Sequence, residues 1–342
     1  MRARLFRNYF VAWVILCLEE ALSIRQLLGS LDLGCIHVFL RSLYHRAGPG
    51  RKPYDPFSLL KAQLLKHLLC VPSDRRLALL LKRNRKMAKA CGFKRETPSH
   101  SLFTQFRHRL GKDGYEKVFS TLLKPLVEDG AVKGEVVAVD STAVKAYSQR
   151  SLDNKTGKSD YEARVGRGRR GFLLGYKVHT ACCASSELPL AFTVAPCNVN
   201  EKLCFQPLLK KLKARGIGFK TVVADAQYDS AKVRKTAKKY GAEPVIPYRK
   251  CSRIKNALKV GRDFVVHGVK RLVSLFRKRV SIERVFGRAK EWLLLDHLRV
   301  RGLEQVFIHA CLSFSAMLVV ALTATRQRKI NLIRSIKHYT TQ

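Results

Sequence analysis

Acidic residues are scarce in this sequence. Its 342 residues include 25 Asp and Glu but 66 Lys and Arg, which gives a formal net charge of +41. A compact protein with this charge repels itself unless a polyanion neutralises part of it, so nucleic acid is the first candidate partner and an anionic membrane surface is the second. The same charge argues against a metabolic enzyme that acts on neutral substrates.

Paired cysteine motifs are also missing. None of the ten cysteines stands in a Cys-x2-Cys arrangement, and most are scattered through apolar segments. Their spacing excludes a zinc finger and disfavours a small disulfide-linked scaffold. We therefore expect buried, free thiols in a reducing compartment.

A nucleotide-binding loop is absent as well. Residues 166–171 read Gly-Arg-Gly-Arg-Arg-Gly, but no Gly-Lys-Ser/Thr and no strand-to-helix frame accompany them. We interpret this segment as a flexible basic loop that places Arg167, Arg169 and Arg170 on DNA phosphates. The sequence also offers no convincing Ser-His-Asp or Cys-His set for nucleophilic catalysis.

Long apolar runs are few, and two of them need testing as membrane segments. Residues 9–18 form a short run that Glu19 and Glu20 follow directly, with no small-residue cleavage site. Residues 306–324 approach spanning length but include several polar side chains, among them His309. We expect a buried helix there rather than a membrane span, and a cytoplasmic protein without a membrane partner.

Residues 1–130 carry a helical pattern. Leucines recur at helical spacing after Asp55-Pro56, residues 72–74 cap a second run that extends to Lys89, and residues 97–99 begin a third helix. Short helices in a basic context suit a DNA-binding module, although they also suit any other helical bundle.

From residue 134 the pattern changes to strands and helices in mixed order, with a long basic loop after the first strand. Buried strands are predicted at residues 135–139, 173–183, 188–195, 220–224 and 244–247, and helices at residues 201–215 and 230–240. The order βββαβαβ predicts a mixed α/β fold.

Two of the scarce acids follow predicted strands. Asp140 and Asp225 each come directly after the last residue of a strongly apolar strand. If the two strands are neighbours, the carboxylates converge, and like charges this close are unfavourable unless a cation lies between them. Ligation by carboxylates alone selects a hard ion such as Mg²⁺. Each aspartate could instead cap a turn.

A third acid, Glu283, lies in a strongly basic segment. Residues 249–301 contain sixteen Lys and Arg but four acids. The spacing Phe276-x2-Arg279-x3-Glu283-x6-Lys290 predicts that all four side chains share one helix face. Such a face offers a metal ligand among phosphate contacts, although an ordinary solvated Arg279–Glu283 ion pair would give the same pattern.

This pattern resembles a signature of the DDE transposases of prokaryotic insertion sequences, Tyr-x2-Arg-x3-Glu-x6-Lys. The chain matches at Arg279, Glu283 and Lys290 and departs at Phe276, where the family usually has Tyr; the change removes a hydroxyl but keeps a stacking ring. Near residues 198–201 the family usually reads Asn/Asp-x-x-Asp or a similar pattern, and Glu201 is a mild departure from it. Other segments that resemble family landmarks are residues 54–76, 98–109, 139–142, 175–179 and 223–229.

The resemblance covers roughly residues 50–325 and implies a fold class. It is an α/β fold in which a ribonuclease H-like mixed-sheet catalytic core, residues 131–325, follows a helical domain that binds DNA ends, residues 1–130. A basic C-terminal tail, residues 326–342, comes last.

The same resemblance implies the chemistry. Asp140, Asp225 and Glu283 are the expected catalytic residues and would hold two Mg²⁺ (or Mn²⁺) ions, which can activate a water or a DNA 3′-hydroxyl without any side-chain nucleophile. Arg279 and Lys290 would clamp phosphates near the scissile bond. Phe276 and Lys177 complete the expected DNA-binding set with the basic loop.

The leading hypothesis is a transposase that cleaves DNA at the ends of an insertion sequence and transfers the strands into target DNA. The implied partners are double-stranded DNA and further copies of the chain, as a homodimer or larger assembly in the cytoplasm at the nucleoid. Two alternatives stay open. One is a metal-dependent nuclease of the same fold, and the other is a DNA-binding relic of a transposase that no longer catalyses, which the intact set of three acids argues against.

Overall fold

The computed structural model describes residues 24–31, 34–44, 52–168, 171–247 and 270–340. The helices are α1 (Gly34–Ser42), α2 (Pro56–Leu68), α3 (Asp74–Arg83), α4 (Arg85–Cys91), α5 (His100–Glu128), α6 (Glu201–Ala214), α7 (Ala231–Lys239), α8 (Lys270–Arg277), α9 (Val280–Trp292), α10 (Leu303–Arg326) and α11 (Ile336–Thr340). The strands are β1 (Val136–Lys145), β2 (Arg164–Gly168), β3 (Gly171–Cys183), β4 (Pro189–Pro196), β5 (Thr221–Ala224) and β6 (Glu243–Val245).

Two compact units make up the chain. The helical unit contains Met1–Leu122, Trp292–Leu294 and Cys311–Gln342, and the sheet unit contains Leu123–Glu291 and Leu295–Ala310. This division differs from the predicted boundaries at residues 130 and 325, because the C-terminal part of the chain is grouped with the N-terminal helices.

Side-chain caps set the helix ends in the helical unit. Asp55 accepts a hydrogen bond from the Ser58 N–H at 3.0 Å, and Pro56 begins α2 as predicted. The run predicted to continue to Lys89 is broken at Asn84. Its amide oxygen accepts from the Met87 N–H at 3.1 Å and so starts a new helix, α4.

The last described residues also belong to the helical unit rather than to a separate tail. Ile336 and Tyr339 of α11 are buried, and the Tyr339 hydroxyl donates to the Gln327 side-chain oxygen at 3.0 Å. The apolar side chains of this basic segment are therefore buried in the core of the helical unit. The positive charge of the segment gave no indication of this burial.

The apolar run at residues 306–324 lies within α10. By length and composition α10 could cross a membrane, and it is the one helix of the described residues that could; every residue of its most apolar 18-residue stretch is buried inside the protein. Its polar side chains are satisfied internally, since Ser313 Oγ donates to the Leu293 carbonyl at 2.8 Å and Thr323 Oγ1 to the Val319 carbonyl at 2.9 Å. The helix is buried, as expected.

The sheet unit is built on a mixed sheet, as predicted. The strand order is β2-β3-β1-β5-β6, and β4 also pairs with β3. β1 runs antiparallel to β3 and parallel to β5, and β5 runs parallel to β6. Strand β2 was not predicted, because its sequence reads as part of the basic loop.

The two faces of this sheet carry different helices. Asp140 pairs with Thr180 and so shares a face with Cys182, whose sulfur lies 3.5 Å from the Ser281 hydroxyl of α9. Lys177 and His179 point to the opposite face, where α6 packs. Helix α9, which carries Glu283, therefore covers the same face as Asp140.

The described cysteines are free thiols, in agreement with the expectation. Six are buried, whereas Cys35 and Cys70 are exposed. Cys17 and Cys251 lie outside the described residues.

Candidate active site

Asp140 and Asp225 occupy adjacent positions at the end of the parallel part of the sheet. The last parallel pair joins Val139 of β1 to Ala224 of β5, and the two aspartates follow directly. The condition for convergence of the two carboxylates, that their strands are neighbours, is met. Asp140 is not past the end of its strand, however, because β1 continues to Lys145 along its antiparallel partner β3.

Each aspartate makes one local hydrogen bond to the backbone. Asp140 Oδ1 accepts from the Ser141 N–H at 2.7 Å, and Asp225 Oδ1 accepts from the Gln227 N–H at 3.0 Å, where it caps a short 3₁₀ turn. The turn-capping alternative therefore holds for one oxygen of Asp225. Ser230 caps the next helix through the Val233 N–H.

Burial and like charge oppose ionisation of this pair. Burial raises the pKa of Asp140 to about 7, the neighbouring Asp225 and Glu283 add to that rise, and the Ser141 N–H and Arg279 oppose it. Burial also raises the pKa of Asp225. A cation beside these carboxylates would favour their ionised forms.

In the structure, that cation is the Arg279 guanidinium. It donates to Asp140 Oδ2 at 3.3 Å and to Glu283 Oε1 at 2.5 Å, so one side chain connects an aspartate of β1 to the glutamate of α9. The predicted Arg279–Glu283 pair is present, but it is part of a three-residue network rather than an isolated surface pair. The Glu283 side chain is about half exposed (52%).

The signature residues do not lie on one helix face, so that prediction is wrong. Phe276 belongs to α8, residues 278–279 form a turn, and α9 begins at Val280. The Arg279 N–H bonds to the Phe276 carbonyl at 2.9 Å in that turn. Arg279 lies in this turn rather than within a helix, and its guanidinium reaches Asp140 of β1.

Lys290 lies two turns after Glu283 on α9. Its ammonium donates to the Ala143 carbonyl of β1 at 3.1 Å and pairs with Asp296 at 2.9 Å. Lys290 therefore ties α9 to the strand that carries Asp140.

The other predicted DNA contacts are distributed differently from expectation. Arg167 is exposed on β2, and Arg169 and Arg170 lie outside the described residues. Lys177 is buried on β3 and pairs with Glu201 at 2.5 Å, so its ammonium is not available to a phosphate at the surface. A lysine in a strand of otherwise apolar residues gives no sequence signal of which face it occupies.

Near Asp225 lies a polar cluster formed by Lys177, His179, Glu201 and Tyr228; the motifs contain these residues, but the sequence did not show that they pack together. Burial raises the pKa of Glu201, but the hydrogen bond and charge of Lys177 outweigh burial and hold it below its usual value. His179 is completely buried, and burial lowers its pKa to about 4, so it is neutral and is not placed to act as a surface base. The Tyr228 hydroxyl is buried without a hydrogen-bond partner among the described residues.

A second unrecognised group holds α9 from its outer side. Glu187, in the turn between β3 and β4, accepts from Arg284 at 2.7 Å and from Arg288 at 2.9 Å. Glu187 is 4% exposed and has φ of +53°, a backbone conformation that is unfavourable for a residue with a Cβ. Acids are scarce in this basic chain, and that scarcity was the one sequence signal that could have drawn attention to Glu187.

No three His, Cys, Asp or Glu side chains of the described residues lie close enough together to enclose a metal ion. Asp140 and Glu283 are instead joined through Arg279. The site thus consists of two adjacent aspartates, a glutamate on the covering helix and a guanidinium among them.

Comparison with known families identifies the protein class. Residues 132–319 match the model described as "Transposase DDE domain", which is more than half of the chain. The chain belongs to the DDE transposase family. Residues 18–109 match a second model, "Transposase domain (DUF772)". The prediction of a DDE transposase, a protein of transposition and DNA recombination, is therefore confirmed.

The transposase is also similar to solved structures, at low identity. One is a piggyBac transposase synaptic complex with hairpin DNA (10% identity, 94% of this chain and 80% of that chain, TM-score 0.41). Others are a Drosophila P element transposase strand transfer complex (11%, 90% and 70%, 0.28) and a Mos1 transposase paired-end complex (10%, 73% and 82%, 0.22). No curated protein matches the sequence.

Proposed function

We propose that this transposase cleaves DNA at the ends of a prokaryotic insertion sequence and joins those ends to target DNA on a ribonuclease H-like core. The observation that carries the proposal is the position of Asp140 and Asp225 directly after the last parallel pair of β1 and β5. Glu283 is connected to Asp140 through Arg279. Three carboxylates from three separate elements thus face one region of the sheet unit.

The chemistry of the donor set fits a hard divalent cation, although Arg279 lies between Asp140 and Glu283 and the three carboxylates do not enclose an ion in this arrangement. Asp140, Asp225 and Glu283 offer oxygen ligands alone, and the raised pKa of Asp140 and of Asp225 is consistent with a place for positive charge beside them. Arg279 provides some of that charge. These three residues would hold two Mg²⁺ or Mn²⁺ ions, which when bound activate the attacking hydroxyl and stabilise the leaving oxygen of a phosphodiester.

The surrounding cations would position the DNA. The Arg279 guanidinium lies at the carboxylates of Asp140 and Glu283. It would donate hydrogen bonds to a DNA phosphate bound beside them if the carboxylate charge is neutralised in another way. Lys290 lies on α9, the helix of Glu283, and exposed Arg167 adds charge along β2. Phe276 would stack near the cut rather than donate a hydrogen bond. We propose a dimer or larger assembly on DNA in the cytoplasm, since two ends must be held together.

The deciding experiment uses supercoiled plasmid that carries the element's own flanking DNA. Purified wild-type protein, Asp225→Asn and the control Glu291→Gln, an exposed acid of α9, are each incubated with Mg²⁺ or with EDTA. Cleaved and joined products from wild type and the control, in Mg²⁺ only, support the proposal. Nicking without joining favours a nuclease, and DNA binding alone in all samples favours a non-catalytic relic.

A further inference from the structure

Exposed apolar side chains are concentrated in one part of the sheet unit. We call this part the arm, defined as residues 147–168 and 171–173. The described residues have nine large apolar side chains that are exposed, and four of them belong to the arm: Tyr147, Leu152, Tyr161 and Phe172. Leu152 is 99% exposed, Tyr161 76% and Phe172 71%. Such a concentration of exposed apolar side chains is typical of a binding surface.

The arm is a folded structure with defined backbone pairing. The Val165 N–H bonds to the Lys155 carbonyl at 3.0 Å, and Arg164 bridges to Thr156. Arg150 donates to the Phe172 carbonyl at 2.9 Å. Its apolar side chains are therefore held outward by a hydrogen-bonded frame, so they are presented to a partner at little cost in conformational entropy.

The outer surface of the arm is basic on balance, because four exposed basic side chains face two exposed acids, Asp153 and Glu162, and Asp153 already accepts from the Lys155 N–H at 3.0 Å. Asp160 is buried and accepts from the Tyr176 hydroxyl at 2.7 Å and from the Gly302 N–H at 3.3 Å. Glu162 accepts from the Leu303 N–H at 2.7 Å, where α10 begins. Exposed basic side chains of the arm are Arg150, Lys155, Lys158 and Arg167.

Two further cations are fixed at the base of the arm. The guanidinium carbons of Arg299 and Arg301 lie 5.1 Å and 5.2 Å from the centre of the Tyr147 ring, and Arg301 Nε donates to the Tyr147 carbonyl at 3.1 Å. The ring holds both groups by cation–π contact. Positive charge and exposed aromatic surface thus occur together.

We propose that the arm binds unpaired bases of DNA, with Tyr161 and Phe172 as stacking platforms. Unpaired DNA combines a polyanionic backbone with flat apolar bases, and the arm offers the complement of both. A second copy of the arm would bring like charges together, and a chain with 25 acids against 66 basic residues has little acidic surface to offer instead. The inference rests on the proposed function, because it assumes that DNA is the substrate.

The topology also gives a distance. From Asp140 to Lys145, β1 advances five residues, or about 17 Å at ~3.3 Å per residue. The arm begins beyond Lys145, so the bases that it binds lie away from the carboxylates along the direction of β1 and not at the carboxylates themselves.

The test compares two DNA probes of one sequence. The first is a blunt 20-base-pair duplex, and the second is the same duplex with a five-nucleotide single-stranded tail that contains 2-aminopurine. Affinity is measured by fluorescence anisotropy, and stacking by quenching or recovery of 2-aminopurine emission. Wild-type protein should bind the tailed probe more tightly and change its emission.

The variant pair is Tyr161→Ala with Phe172→Ala, matched to Leu79→Ala with Leu203→Ala. Leu79 and Leu203 are also exposed, at 51% and 67%, but lie outside the arm. The arm variant should lose the extra affinity for the tail, by about tenfold for each ring, with blunt-duplex binding unchanged. The control pair should behave as wild type. The double variant Tyr161→Phe with Phe172→Tyr keeps both rings, so it should bind the tail as tightly as wild type does.

Several results would overturn the inference. One is an unchanged preference for the tail in the arm variant, and another is an equal loss for both probes. Conversion of a dimer to a monomer, or loss of binding to anionic vesicles, with tail binding intact would assign the arm to a different partner. Failure of wild type to bind either probe would refute DNA binding itself, whereas normal duplex binding without a tail effect would refute the arm's role alone.

Discussion

Single residues decide the chemistry at the carboxylate site. Asp140 and Asp225 are both partly buried, and Arg279 supplies a positive charge that also reaches Glu283. A buried carboxylate pair is costly without such a charge. The consequences of removing either the glutamate or the guanidinium are therefore different, and each can be measured separately.

Glu283→Gln should abolish cleavage and leave DNA affinity within about twofold. The amide keeps the shape but removes an anionic ligand, so we expect a loss of cleavage rate of about 100-fold or more. The measurement is single-turnover cleavage beside equilibrium binding. Glu291→Gln, an exposed acid on the same helix, is the control, and full activity of Glu283→Gln would remove Glu283 from the site.

Arg279→Ala should weaken DNA contacts close to the cut more than distant contacts. The reason is that Arg279 reaches both Asp140 and Glu283 and hence a phosphate bound beside them. Chemical footprinting of wild type and the variant checks this, with Arg277→Ala, an exposed residue of α8, for comparison. An unchanged footprint at the cut would contradict the assigned role.

At the level of elements, buried ion pairs fix the helices in place. In the helical unit, Asp74 of α3 pairs with Lys66 of α2 at 2.8 Å and with Arg107 of α5 at 2.7 Å. In the sheet unit, Glu187 holds Arg284 and Arg288 of α9. Removal of the Asp74 charge leaves the buried cations Lys66 and Arg107 uncompensated, whereas removal of the Glu187 charge acts on Arg288, which is 17% exposed, and on Arg284, which is 63% exposed.

Asp74→Asn should lower the free energy of unfolding by about 3 kcal/mol at neutral pH. Burial raises the pKa of Asp74, but the charges and hydrogen bonds of Lys66 and Arg107 outweigh burial and hold it below its usual value. The stabilisation is therefore complete above the unfolded-state pKa of about 3.9 and is lost as the pH falls through the lower, folded-state pKa.

Urea unfolding of wild type and Asp74→Asn at pH 7 and at pH 3 measures this effect. The difference between the two proteins should shrink at the lower pH. Asp113→Asn changes an exposed acid of α5 and should have little effect at either pH. A difference that is independent of pH would assign the loss to packing rather than to charge.

Glu187→Gln should reduce cleavage and raise the Mg²⁺ concentration needed for half-maximal activity. Its carboxylate fixes α9 through Arg284, the residue next to Glu283, and through Arg288 one turn later. If Glu187 had a purely structural role, the variant would have a lower unfolding temperature, but the folded protein would need the same Mg²⁺ concentration as wild type for half-maximal activity. Glu135→Gln, in an exposed pair with Lys220, is the control.

For the whole molecule, charge dominates. A net charge of +41 predicts DNA binding that weakens steeply with salt. With ~8 phosphate contacts, the slope of log affinity against log salt concentration should be near −7. Titrations of one duplex between 50 and 400 mM monovalent salt give this slope. A flat response would rule out a surface that follows the phosphate backbone.

Local pattern was sufficient for the elements whose signals lie in consecutive residues. Apolar runs predicted β3 to β6 and α6 within a few residues, and Asp55-Pro56 marked the start of α2 correctly. Strand β2 and the break before α9 were missed. Strand β2 and the turn before α9 depend on pairing and packing with residues elsewhere in the chain, and the local sequence of these two basic segments contains no signal of those contacts.

The sequence by itself determined the family, the basic character and the identity of the scarce acids, because these follow from residue type and short-range spacing. Tertiary structure alone decided that β1 and β5 pair in parallel, that Arg279 lies between Asp140 and Glu283, and that Lys177 is buried. Strand register joins residues far apart in the chain, and a change of one residue moves every side chain to the other face of the sheet. The site exists because that register brings Asp140 and Asp225 side by side.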